Sequence, residues 1–115
     1  METMRTAVSA LSFSDPAEDA IDRASEHRKA VALIAQLPTI VARYERRRRG
    51  ELAVDPDPSL GYAENFLAML RGESPTAEEA RAFEVAMILH AEHEMNASTF
   101  TARVVAGTNA DLHSA

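Results

Sequence analysis

The sequence predicts an all-α fold of about five to six helices. Three observations carry that prediction. Apolar residues recur at spacings of three and four, helix start and stop signals punctuate the chain, and no stretch sustains the apolar–polar alternation of a strand. Glycine occurs only at 50, 61, 72 and 107, and three of these sit where a helical pattern stops.

The elements follow in order. Met4, Ala7, Val8 and Leu11 lie on one helical face, and Asp15-Pro16 ends that helix because proline disfavours helical geometry in the residue before it. Residues 15 to 24 are acidic and read as a loop, with Ser25 as the cap of the next helix. Val31, Ile34, Leu37, Val41 and Tyr44 keep helical spacing up to Gly50, a natural residue for the position after a helix. Pro38 lies inside this run and is expected to kink or split it. Asp55-Pro56-Asp57-Pro58 forms a stiff extended loop within 51 to 58. A third helix runs from about Leu60 to Arg71 with Phe66, Leu67 and Leu70, and stops at Gly72. Thr76 and Glu79 make a capping box that opens a fourth, which carries Phe83, Met87 and His90 on one face. Asn96 caps a fifth with Thr99 at its third position, so residues 93 to 96 form a tight corner. Asn109 or Asp111 is placed to cap another helix just where the sequence stops.

A chain of 115 residues suits one domain with one modest core. There is no cysteine, which removes disulfide and thiolate chemistry. Lys and Arg total 12 against 18 Asp and Glu, and a net charge of −6 disfavours a general nucleic-acid binder. No apolar run approaches the roughly 20 residues that span a bilayer, and the first residues lack the apolar stretch of a signal peptide. A cytoplasmic protein with no membrane partner is the expectation.

The densest polar cluster is His90-Ala91-Glu92-His93-Glu94-Met95-Asn96. His90 and His93 are three apart and share a helical face. One reading is a binding or acid–base site, another a metal site, a third a helix end whose polar side chains satisfy terminal backbone groups. The metal reading lacks both zincin histidine orders and any third ligand placed by spacing, so no metal is expected. A helix starting at Asn96 turns its first amides toward the corner. The helix dipole favours an anion there, and His93 would add a hydrogen-bond donor, which together make a carboxylate site. Arg46-Arg47-Arg48-Arg49, with Arg43 one turn before, reads either as a phosphate patch or as a solvated helix end that complements the dipole. Four consecutive arginines point around the helix and not along one face, which favours the second reading.

The stretch Ile88-Leu89-His90-Ala91-Glu92-His93-Glu94-Met95-Asn96-Ala97-Ser98-Thr99 resembles the internal signature of citrate synthases, including the 2-methylcitrate synthases. The segments Met4-Arg5-Thr6-Ala7-Val8-Ser9-Ala10-Leu11, Leu37-Pro38-Thr39-Ile40-Val41-Ala42, Asn65-Phe66-Leu67-Ala68-Met69-Leu70 and Ala102-Arg103-Val104-Val105-Ala106-Gly107-Thr108 extend the resemblance over almost the whole chain. It implies part of the family's large helical domain over residues 1 to 115. It also implies condensation of an acyl-CoA, acetyl-CoA or propionyl-CoA, with oxaloacetate, which releases CoA. His93 matches a family histidine that binds oxaloacetate, Asn96 lies at the same pocket, and His90 is a supporting residue. The first two helices, to Gly50, resemble part of a homodimer interface. Acyl-CoA enters as substrate, and no resident cofactor is implied.

The family's catalytic histidines, its catalytic aspartate and its arginine clamps for substrate carboxylates have no counterpart among these residues. The expectation is therefore an internal fragment of the large domain, inactive alone and without catalytic residues of its own. More exposed apolar surface than the composition implies is also expected. The alternative is a stand-alone helical binding or dimerisation module without enzyme activity.

Overall fold

The computed structural model describes residues 2–16, 20, 22–91 and 94–114. Among them are five α-helices and no strand: α1 Glu2–Ala10, α2 Arg23–Arg48, α3 Tyr62–Arg71, α4 Ala77–His90 and α5 Ala97–Ala106. A 3-10 turn, Leu11–Ser14, follows α1. The described residues form two compact units, Met1–Leu37 with Glu94–Ala115, and Pro38–His93.

In the first unit α1 tightens into the 3-10 turn, which closes when the Asp15 amide donates to the Ser12 carbonyl (3.0 Å). Asp22, and not Ser25, caps α2. Its Oδ1 accepts from the amides of Ala24 (3.0 Å) and Ser25 (3.1 Å). Ser25 instead sits buried in the first turn, with its hydroxyl on Asp22 Oδ2 (2.5 Å). Both residue types suit the cap, but a carboxylate also offsets the positive end of the dipole and can take two amides and a hydroxyl at once. Asn96 caps α5 as predicted. The final helix does not form among the described residues. Asp111 Oδ1 instead accepts from the amides of His113 (2.9 Å) and Ser114 (3.1 Å), which makes a single turn.

The buried residues of this unit are polar: Ser25, Lys29 and His113. Each has partners. Lys29 Nζ donates to the Ala20 carbonyl (2.7 Å) and to Glu26 Oε1 (3.0 Å), as a buried ammonium requires. His113 Nε2 lies 3.3 Å from Asp15 Oδ2 and ties the C-terminal turn to the end of the 3-10 turn.

The second unit holds the apolar core. Ala42, Ala63, Leu67 and Met69 are buried. α3 packs on α4, where the rings of Phe66 and Phe83 stack with centroids 5.3 Å apart. The expected split at Pro38 does not occur, and α2 stays helical through it. Proline removes one ladder donor without forbidding the next turn. The residues beyond it are held by packing, with the Thr39 hydroxyl 3.8 Å from Met69 Sδ.

α2 ends in a Schellman motif. Glu51 donates back to the Arg46 carbonyl (2.9 Å) and Gly50 to that of Arg47 (3.0 Å), with Gly50 at φ 75°. The extended stretch that follows is pinned at Asp57. The side chain of Asn65 accepts from the Asp57 amide (3.1 Å) and donates to its carbonyl (2.7 Å).

Arg46 is the second unit's buried cation. Its Nε donates to the Leu52 carbonyl. Its Nη1 lies 3.1 Å from Glu51 Oε2, off the angle of a directed hydrogen bond, so that contact is an ion pair. The guanidinium occupies the space beside Gly72, where a Cβ would meet Nη1 at 2.6 Å.

Apolar exposure is extensive. Phe13 is 90% exposed and Leu52 87%, and Val31, Ile34, Ile88, Leu89, Phe100 and Val104 are also exposed. Among the described residues no helix is long and apolar enough to cross a membrane.

Candidate functional site

The site expected from the sequence falls on the residues that lead into α5. Asn96 adopts extended backbone (φ −76°, ψ 171°), and its side chain accepts from the Thr99 amide at 2.7 Å. Phe100 donates to the Asn96 carbonyl at 2.9 Å, so the intrahelical ladder begins there. The amides of Ala97 and Ser98 precede any intrahelical acceptor and lie at the positive end of the helix dipole. Hydrogen-bond donors and a partial positive charge thus meet at one helix end, the arrangement that takes a carboxylate or phosphate. The turn that delivers Asn96 is closed by its own amide, which donates to the Glu94 carbonyl (3.0 Å), with Glu94 at φ 77°.

His90 is the last residue of α4 and is exposed. Its Nδ1 lies 2.7 Å from the Ala86 carbonyl. A carbonyl only accepts, so Nδ1 carries the hydrogen and Nε2 is the acceptor of the neutral ring. His93 lies outside the described residues. The structure therefore defines Asn96 and the helix start within one unit, and His90 by itself within the other. Among the described residues no group of three His, Cys, Asp or Glu is arranged to hold a metal ion.

Three arginines of the run, Arg46, Arg48 and Arg49, hold ion pairs. Arg48 and Arg49 both bind Glu45 (2.8 and 2.9 Å), whose carboxyl is lowered to about 2, chiefly by the Arg48 hydrogen bond. Arg43 pairs with Asp55, and Arg46 is buried. These contacts match the reading of the run as a helix end.

One feature escaped the sequence. A cavity of about 190 Å³ lies within the first unit, beside Asp15, Ser25, Arg28, Lys29 and His113. Its residues are drawn from chain positions too far apart for any spacing rule to pair them.

The five described helices, with no strand among the described residues and an asparagine cap at the start of α5, define an all-α protein. Comparison with known proteins makes that class specific. The family model described as "Citrate synthase, C-terminal domain" matches residues 1–115. The 2-methylcitrate synthase of Mycobacterium tuberculosis is 52% identical over 115 residues, which is all of this chain and 29% of that protein. Citrate synthase 2 of Bacillus subtilis is 46% identical over 114 residues, 99% of this chain and 31% of that protein. The crystal structure of citrate synthase from Pyrobaculum aerophilum superposes with a TM-score of 0.81 at 37% identity, covering 97% of this chain and 31% of that one. The chain belongs to the citrate synthase family, and it spans about three tenths of the length of these relatives.

Proposed function

We propose that these residues supply the oxaloacetate-binding corner of an enzyme that condenses acetyl-CoA or propionyl-CoA with oxaloacetate and releases CoA. The observation that carries this reading is the capped α5 start at Asn96, in a chain that the family matches from end to end. In this reading His93 and Asn96 bind oxaloacetate, and His90 is a supporting residue. Oxaloacetate brings carboxylates, which the free amides of Ala97 and Ser98 and an imidazole donor neutralise.

Condensation demands more. The α-carbon of an acyl thioester is a weak acid. Its proton must pass to a positioned base while a positioned donor holds the enol oxygen. The resemblance gives neither task to a residue of this chain, so these 115 residues alone bind and do not turn over. In the reading, the apolar stripe of α2, with Val31 and Ile34 exposed, is covered in a cytoplasmic homodimer. The same exposure is what favours a non-catalytic binding or dimerisation module as the second reading.

The test is a titration of the chain with oxaloacetate, followed by amide NMR. Shifts confined to Ala97–Thr99 and lost in Asn96→Ala support the reading, and unmoved amides overturn it. A thiol-release assay with acetyl-CoA and propionyl-CoA is expected to show no turnover.

A further inference from the structure

Of the 12 Lys and Arg residues in the sequence, Lys29 alone is a lysine. The two side chains meet thioesters differently. A guanidinium stays protonated and offers no lone pair, whereas a lysine amine can attack a thioester carbonyl. Lys29 lies in the second turn of α2 and is 4% exposed. Its Nζ donates to the Ala20 carbonyl (2.7 Å) and to Glu26 Oε1 (3.0 Å), so the side chain fastens α2 to the segment that precedes it. The cavity beside it measures about 190 Å³. Pockets begin to hold drug-sized molecules at roughly 300 Å³, and an acyl-CoA is larger than these.

We infer that Lys29 is a guarded acylation site: an acyl thioester reaches its nitrogen only when the segment before α2 lifts away, so acylation marks chains whose α2 start has opened. In the opened form the ammonium gives one proton to solvent. The amine then attacks the thioester carbonyl, and the C–N bond forms as the C–S bond breaks. One further N–H proton ends on the departing thiolate, which leaves as free thiol. The product amide carries no charge, so the ion pair with Glu26 is lost. The rate follows the population of the opened form. Asp22 helps to set that population, because its carboxylate caps the amides of Ala24 and Ser25. The site goes beyond the proposed condensation and takes from it only the acyl-CoA, here as reagent.

The test incubates the 115-residue chain with acetyl-CoA at mildly alkaline pH and counts acetyl-lysine by mass spectrometry after digestion. Arg47→Lys places an exposed reference lysine in the same chain. Lys29 is expected to acetylate at least about tenfold more slowly than the reference in buffer, and equally fast in guanidinium chloride. Adding Asp22→Ala is expected to speed Lys29 about fivefold and to leave the reference rate unchanged, with helix content by circular dichroism retained. If that variant unfolds instead, Lys29 is expected to rise to the reference rate. Equal rates in buffer, or a Lys29 that stays slow in denaturant, overturn the inference. So does an Asp22→Ala chain whose Lys29 is as slow as before. Oxaloacetate enters none of these readouts, so they decide the role of Lys29 even if the proposed function falls.

Discussion

Two glycines show how much a single residue can be asked to do. Gly50 and Gly72 both have positive φ, at 75° and 87°. A Cβ at Gly50 meets nothing within 4 Å, whereas one at Gly72 meets Arg46 Nη1 at 2.6 Å. Gly50→Ala therefore costs the left-handed penalty alone, about 1 kcal/mol. Gly72→Ala adds displacement of a buried guanidinium and is expected to cost about 2–3 kcal/mol. Chemical denaturation of the two variants checks the order, and equal midpoints would refute the packing argument. The sequence marks both positions as helix stops, because a glycine after an apolar periodic run is a local signal. It says nothing of Arg46, whose place beside Gly72 depends on the path of the loop between them. His113 and Asp15, 98 positions apart, are illegible for the same reason.

Among the elements, helix starts separate what is local from what is not. The Thr76–Glu79 box forms as the spacing predicts. The Thr76 amide donates to Glu79 Oε2 (2.8 Å), and the Glu79 amide to the Thr76 hydroxyl (3.3 Å). Its parts lie within four residues, and the same holds for Asn96 and Thr99. At α2 the sequence reading places the cap on Ser25, and the bond pattern puts it on Asp22, three residues earlier. Pro38 does not split α2, for a different reason. A missing donor weakens a helix locally, but packing further along decides whether the chain leaves the helical path. Thr76→Ala is expected to destabilise by about 1 kcal/mol. Asn96→Ala is expected to cost a similar amount and also to abolish oxaloacetate-induced shifts in α5. Thermal melts of both variants with and without oxaloacetate distinguish the two elements, since only the second should lose its ligand response. The candidate site was legible to this extent: its helix cap lay in the sequence, while the left-handed turn before it did not, because glutamate gives no sign of that conformation.

Across the whole molecule, several carboxyls are held below their ordinary range. Asp22, Asp57 and Asp111 are lowered chiefly by hydrogen bonds from Ser25, Ser59 and Ser114. Glu79 is lowered to about 2, first by the Thr76 amide and then by Arg71. A group whose folded pKa lies below its unfolded value contributes stability that is complete above the unfolded value. That contribution is lost as pH falls through the folded one. For Glu45 and Glu79 the window runs from 4.5 down to about 2. The melting temperature is expected to hold steady above pH 5 and to fall across that window, with a shallower fall in Glu79→Gln. A flat profile would show that these contacts do not persist in solution. The exposed α2 stripe predicts a further property. Sedimentation should be concentration-dependent, and Ile34→Asp should weaken the association, because a charge on an apolar contact face must be desolvated.

The contact between Arg46 and Gly72 also constrains how the sequence can drift. Replacing Arg46 by a shorter apolar residue removes the obstacle beside Gly72 but leaves its backbone requirement intact. The two substitutions are then non-additive: Gly72→Ala should cost less in an Arg46→Leu background than in wild type, and the difference measures the contact alone. Loss of Arg46 is thereby expected to raise tolerance at 72, for asparagine before alanine.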